Sequence, residues 1–323
     1  MKISHTKVRM AAVVVGLSLC STAVVAKDVT LGFVAAGMQY PFNVAVARGF
    51  QAEAKSLGVK SVVLDPKGSV EKQGNAIDDL ISQKADGIAS VVLDSVVAKT
   101  WVDRTTEAHI PFVAVAVPVG DPAAVEKKQV YPKLTALVNE DDVLAGQFAG
   151  ELSATMLPKG RTAEIAIVEG APGYSVVLQR TQGFKDGLAK AGAKYKIVAS
   201  QPTDWTAEKG EAVCQNVLTA HPDLDLFYTQ YDDLALGCGR AVRSMGSKAK
   251  IVAVSGGSKL GIDAVKSGDM AGTVCTKPET MGRLAAKALY DAINNKNPPK
   301  AQSVTYKLVT VTKANLSECP PEF

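Results

Sequence analysis

Ten short apolar runs, most of them followed by a stretch with helical spacing, constrain this chain more than any other feature. The runs are 29–35, 61–65, 87–93, 111–117, 134–138, 163–170, 195–200, 225–230, 250–256 and 271–276. They are rich in Val, Ile and Ala, and several are apolar almost throughout. Strands buried on both faces in a parallel sheet have this composition. Between them stand helical patterns, among them "FNVAVARGFQAEAKSLG", "VEKQGNAIDDLISQKA" and "DDVLAGQFAGELSATML" in the first half. "YSVVLQRTQGFKDGLAKAG", "TAEKGEAVCQNVLTAHP" and "PETMGRLAAKALYDAINNK" follow. Gly58, Pro158, Gly192 and Pro222 mark helix ends. Repeated strand–helix units predict a doubly wound α/β architecture. The series reads twice, with the break near 139–141, and about 300 residues is large for one core. The expected fold is therefore α/β, with two Rossmann-like lobes, each a parallel-rich sheet flanked by helices.

In such sheets ligands sit off the C-terminal strand ends. Tyr40, Phe42 and Asn43 follow the first run, Asp94 the third, and Tyr231 the eighth. Trp205 stands between a strand and a helix in "SQPTDWTAEKG". Aromatic faces beside polar groups suit a sugar, whose C–H faces stack and whose hydroxyls hydrogen-bond. Arg180 falls early in a helix, from where a guanidinium reaches a cleft with fixed, forked donors. The plainer reading packs each ring in a core and places Arg180 in a surface ion pair.

The first residues read as an export signal. Lys2, Lys7 and Arg9 precede an apolar run and a small-residue exit ending at Ala26. Cleavage near Ala26 would leave an exported mature chain, not embedded in a membrane. Lipid attachment at Cys20 is the rival reading. The segment holds three of the 36 Lys and Arg and none of the 32 Asp and Glu, leaving 33 against 32, a net +1. No basic footprint for nucleic acid remains. Four cysteines remain too, and an oxidising compartment favours pairing them. Of three pairings, Cys214–Cys238 would join successive helices, and Cys275–Cys319 would tie the tail to a strand end. Four buried thiols are the alternative. No spacing resembles a zinc site, and neither metal nor cofactor is expected.

Catalysis is poorly supplied. His109 precedes Ile110-Pro111 and His221 precedes Pro222, both in apparent turns, and His5 leaves with the signal. "AVSGG" loosely resembles a nucleophile elbow at Ser255, but no histidine follows His221. Asp232 and Asp233 are adjacent at a helix start, so their side chains diverge. Asp232 is expected to cap the helix, with Asp233 favoured by its dipole.

Taken together, "YPF" at 40–42, "IPFVAV" at 110–115, "DVLAGQFAGE" at 142–151, "RTQGF" at 180–184, "ASQPTDWTAEKG" at 199–210, "LTAHPDLD" at 218–225 and "DDLALG" at 232–237 resemble the ribose/galactose group of periplasmic sugar-binding proteins. These are the capture subunits of ABC importers. The resemblance spans essentially the whole mature chain. It implies a type I periplasmic binding fold with a three-segment hinge near 139–141, Thr276 and 298–302. The lobes would then comprise 27–139 with 277–300, and 140–276 with 301–323. It also implies a sugar-binding role for Arg180 and ring contacts from Trp205 and Phe42. Departures are equally informative. Tyr40 and Tyr231 replace family asparagines, and Ala116-Val117 stand where ribose proteins have Asp-Arg. Ser255 replaces an aspartate, and Thr276 a glutamine.

The expected function is an exported, monomeric solute-binding protein that is not an enzyme. It would close on a sugar, polyol or sugar derivative and deliver it to a membrane permease. A ligand sensor acting through a chemoreceptor or sensor kinase is the alternative. A repressor of the lactose type shares this fold but needs a DNA-binding helix-turn-helix where this chain has its signal.

Overall fold

All ten apolar runs fold as strands, and two short polar strands join them. The computed structural model describes residues 1–2, 29–121, 129–295, 297–298 and 300–323. Beyond residues 1–2, the expected export signal, with His5, Cys20 and Ala26, lies outside the described residues. The strands are β1 (Thr30–Val34), β2 (Lys60–Leu64), β3 (Gly87–Ser90), β4 (Phe112–Val115), β5 (Ala136–Val138), β6 (Ala163–Val168), β7 (Tyr195–Gln201), β8 (Leu226–Thr229), β9 (Lys250–Gly256), β10 (Gly272–Cys275), β11 (Gln302–Val304) and β12 (Thr310–Val311). The described helices are α1 (Pro41–Ser56), α2 (Val70–Ser82), α3 (Ala98–Glu107), α4 (Asp142–Ala154), α5 (Ser175–Lys190), α6 (Ala207–Ala220), α7 (Asp232–Ser244), α8 (Lys259–Ser267) and α9 (Pro278–Asn294).

Two six-stranded sheets result, ordered β11-β5-β4-β3-β1-β2 and β12-β10-β9-β8-β6-β7. Strand pairs are parallel except β10 with β12, which is antiparallel. The first sheet's core includes Phe33, Phe50, Ile88 and Phe112, and the second packs Phe184 face to face on Tyr228 at 3.9 Å. Burying each such side chain stabilises by roughly 1.5–3 kcal/mol. The strand order reverses at β1/β3 in one sheet and at β6/β8 in the other. Loops diverge there and leave a crevice.

Among the described residues the chain passes between sheets three times: after Val138, after Cys275, and between Val304 and Thr310. The family resemblance implied a last passage near 298–302 and placed 301–323 in the second lobe. Gln302–Val304 instead pair with β5 in the first sheet. This edge strand is short, polar and partly exposed, so its sequence carries no buried-strand signature. Helices α3 and α8 also lie outside the helical stretches read from the sequence. Each is short, and α3 mixes charged and β-branched residues.

Candidate functional site

Both reversal points open into one cleft between the lobes, enclosing about 590 Å³ of space that is partly open to solvent. Its lining includes Tyr40, Phe42, Asn43, Arg180, Trp205, Tyr231 and Ser255, seven of the nine residues singled out for the ligand. Tyr174, Ala36, Val91, Ala116, Val117 and Val176 complete it. Among the described residues, no group of three or more His, Cys, Asp or Glu is arranged to hold a metal.

Local sequence sets each wall. Pro41 fixes the first helical position of α1, where its missing N–H costs nothing. Asn43 Oδ1 accepts from Ala36 N at 2.9 Å, tying that helix start to the end of β1. Trp205 has φ 70°, Ser255 φ 55° and Ala116 φ 62°, three cleft residues in the left-handed region that side chains disfavour. Trp205 N donates to Thr203 Oγ1 at 3.2 Å, and Thr203 Oγ1 donates to Glu169 O at 2.7 Å. Its ring lies against Gly170, where an added Cβ would fall 1.8 Å from an indole carbon. The indole meets Tyr174 edge-on at 5.6 Å and Tyr231 at 6.2 Å, with the Arg180 guanidinium 6.0 Å from its centre.

Arg180 is not a surface ion pair. Its Nε donates to Asp142 Oδ1 at 2.7 Å, one terminal nitrogen to Glu140 Oε1 at 2.9 Å, and the other to Gln230 O at 2.8 Å. All three side chains of this charged cluster are buried. Burial opposes the Arg180 charge, but Asp142 and Glu140 outweigh it and hold the guanidinium protonated. Burial, then the like charge of Glu140, pushes Asp142 well above the usual carboxylate range against the pull of Arg180. Asp142 Oδ2 and Glu140 Oε2 have no hydrogen-bond partner. Helices α4 and α5 pack closely enough for this because Gly146 abuts the Arg180 carbonyl, where a Cβ would lie 2.4 Å away.

Gln230 closes the eighth apolar run, and its position there carried no expectation of a role. Its Oε1 accepts from Gly170 N at 3.0 Å, and its Nε2 donates to Val177 O at 2.9 Å and Thr181 Oγ1 at 2.8 Å. One buried amide thus fixes the loop behind Trp205 and the helix that carries Arg180. Tyr174, a wall of the cleft, was also missed, although it precedes α5 as Tyr40 precedes α1.

Two candidates lie elsewhere. Asp94 does not line the cleft; its Oδ1 accepts from Val96 N at 2.8 Å and Val97 N at 2.9 Å, closing the turn before α3. Thr276 is buried at the second passage, with Oγ1 3.0 Å from Tyr306 Oη, and Lys277 N donates to the same phenol at 3.0 Å. It therefore joins the second passage to the third. Asp232 also departs from expectation. It occupies the first position of α7 rather than capping it, and its buried carboxylate reaches the next loop. Oδ2 accepts from Gly257 N at 2.8 Å, Ser258 N at 3.1 Å and Ser258 Oγ at 2.9 Å, and Oδ1 from Thr273 Oγ1 at 3.2 Å. Burial raises its pKa despite these donors.

Cys214 is bonded to Cys238, joining α6 to α7, and Cys275 to Cys319. The lobes touch across the cleft, where Ser95 Oγ lies 2.9 Å from Ser175 Oγ. Among the described residues no helix is long and apolar enough to cross a membrane.

Comparison with known proteins places this geometry. Residues 31–297 match the family model described as periplasmic binding protein domain. The ribose import binding protein RbsB of Bacillus subtilis is 31% identical over 284 residues, 88% of each chain. The D-allose-binding periplasmic protein of Escherichia coli is 29% identical over 299 residues, covering 91% of this chain and 94% of its own. The crystal structure of the Caulobacter myo-inositol binding protein bound to myo-inositol superposes with a TM-score of 0.80 at 27% identity, covering 90% and 96%.

Proposed function

This chain belongs to the periplasmic binding protein domain family, and we propose that it captures a sugar, polyol or sugar derivative for an ABC importer. The cleft is the binding site, and the solute is delivered to a membrane permease. One observation carries this reading. Strand-end residues of both sheets converge on a single cleft walled by Tyr40, Phe42, Tyr174, Trp205 and Tyr231. Rings on opposite lobes can sandwich the C–H faces of a small ring-shaped solute only when the lobes close.

The polar supply narrows the solute. Three of the five Arg180 N–H groups already donate within the protein, so the guanidinium backs Trp205, ties the site to the first passage and keeps two donors for a solute. Phenols, the Asn43 amide and the Ser255 hydroxyl remain to meet hydroxyls. A solute with fewer or differently placed hydroxyls than an aldopentose suits this set, since micromolar capture needs only about 8 kcal/mol.

The lobes divide at the three passages, with 305–309 as the third hinge segment. Exposed Val44, Val96, Leu178 and Leu260 stand at helix starts on the cleft edge of both lobes, a surface suited to a permease. The mature chain begins after Ala26, acts as a monomer in the periplasm and performs no catalysis.

A thermal-shift screen of residues 27–323 against pentoses, hexoses and cyclic polyols, with amino acids and metal ions as controls, tests this. At least one should raise the melting temperature in a saturable way. Stabilisation only by amino acids or metal ions would overturn the reading.

A further inference from the structure

We propose that residues 320–323 form a strap across the two lobes, with Phe323 a positioning residue for the ring walls of the cleft. The proposal rests on the reading of that cleft as the binding site.

The segment is anchored at one end by the Cys275–Cys319 disulfide, at the end of β10 in the second sheet. Both sulfurs pack against Gly257, two residues beyond Ser255, where an added Cβ would lie 2.7 Å from Cys319 Sγ. From this anchor the chain reaches the other lobe. Helix α9 packs on α1 and the first sheet, and its N-cap residue supplies no side-chain acceptor. Glu322 fills that role from far along the sequence. Its Oε2 accepts from Thr280 N at 3.0 Å, and its Oε1 from Thr280 Oγ1 at 2.7 Å. A carboxylate there satisfies an orphan amide and faces the positive end of the helix dipole. The Arg48 guanidinium of α1 donates to the Glu322 carbonyl and to Glu279 Oε2.

One residue on, the strap returns to the second lobe. Phe323 O accepts from Lys259 N at 2.7 Å, at the start of α8. The Phe323 ring stands between a cleft wall of each lobe. It meets Phe42 edge-on at 6.3 Å and lies nearly parallel to Tyr231 at 6.4 Å. Within four residues the chain touches α1, α9, α8 and both aromatic walls. These contacts can all form together only when the lobes are near each other. The strap therefore favours the closed arrangement and fixes Phe42 and Tyr231 at the spacing the solute meets.

Small-angle scattering from the ligand-free full mature chain reads lobe opening directly. Phe323→Ala and, independently, Glu322→Ala should each shift the radius of gyration upward while the melting profile stays a single cooperative transition. Phe323→Tyr, which keeps the ring, should restore the wild-type value. Stopped-flow release of D-ribose, D-allose and myo-inositol, followed by protein fluorescence, gives the second readout. Any of these that binds should dissociate about tenfold faster from the Phe323→Ala protein, the loss expected for one or two ring contacts. Scattering unchanged in both alanine variants overturns the strap, whatever the solutes do. If none of the three binds, the sugar reading is weakened while scattering still decides the strap.

Discussion

The Nε of Arg180 donates to Asp142 Oδ1 at 2.7 Å, so the residue most readily taken for a sugar ligand is held by the first passage between lobes. Glu140 and the Gln230 carbonyl occupy its other nitrogens. Removing one partner of a buried charge cluster leaves the others uncompensated. Arg180→Ala is expected to cost about 3–5 kcal/mol in urea unfolding, whether or not a solute is present. Combining it with Asp142→Asn should recover part of that loss. An unfolding midpoint unchanged by Arg180→Ala would show that the cluster does not stabilise the fold.

Gly170→Ala tests how Trp205 is positioned. An added methyl would fall 1.8 Å from the indole, which must move. Tryptophan emission should shift and solute affinity should fall at least tenfold, with a stability loss of about 1–3 kcal/mol from overpacking. Unchanged emission and affinity would mean that the loop absorbs the methyl without moving the ring.

Tyr231→Phe separates binding from stability. The buried Tyr231 hydroxyl has no well-formed hydrogen bond, although the Phe42 backbone lies beside it. Its removal should leave the melting temperature equal or slightly higher, since an unpaired buried hydroxyl costs about 1–3 kcal/mol. Affinity should drop if the solute bonds this phenol. A large destabilisation would mean that the Phe42 contact is a strong hydrogen bond.

Asp233 gives stability a pH dependence. Burial first, then the charges of Asp232 and Glu208, raise its carboxyl to about 6. The folded state thus holds this proton more tightly than the unfolded chain, where aspartate titrates at about 3.9. Its contribution is present at low pH and is lost as pH rises from about 4 through 6. Asp233→Asn should therefore stabilise by about 1 kcal/mol at pH 7.5, allowing for partial exposure, and by little at pH 4. An equal effect at both pH values contradicts this.

The strands and their two-fold repetition were legible because buried parallel strands leave uninterrupted Val, Ile and Ala runs. The cleft was legible for a related reason: in a doubly wound sheet, position after a strand suffices to gather Tyr40, Phe42, Trp205 and Tyr231. Less was readable where pairing is non-local. Asp232 reads as a helix cap on local spacing, yet its partners lie 25 to 41 residues away. Asp94 follows a strand like the true lining residues, but a short polar side chain can be consumed by its own turn. Gln302–Val304 pair as an exposed edge, and no apolar signal marks such a strand. That three Arg180 N–H groups are already engaged could not be read from its spacing, because Glu140, Asp142 and Gln230 meet it only after both helices have packed.

The solute is expected to sit against Trp205 between the lobes. Isothermal titration of the stabilising sugar or polyol into wild-type and Trp205→Ala protein tests it most directly. Loss of a stacked ring should weaken binding by roughly 1–3 kcal/mol or more, about ten- to a hundredfold, with the ligand-free fold intact by circular dichroism. Equal affinities in the two proteins would place the solute elsewhere.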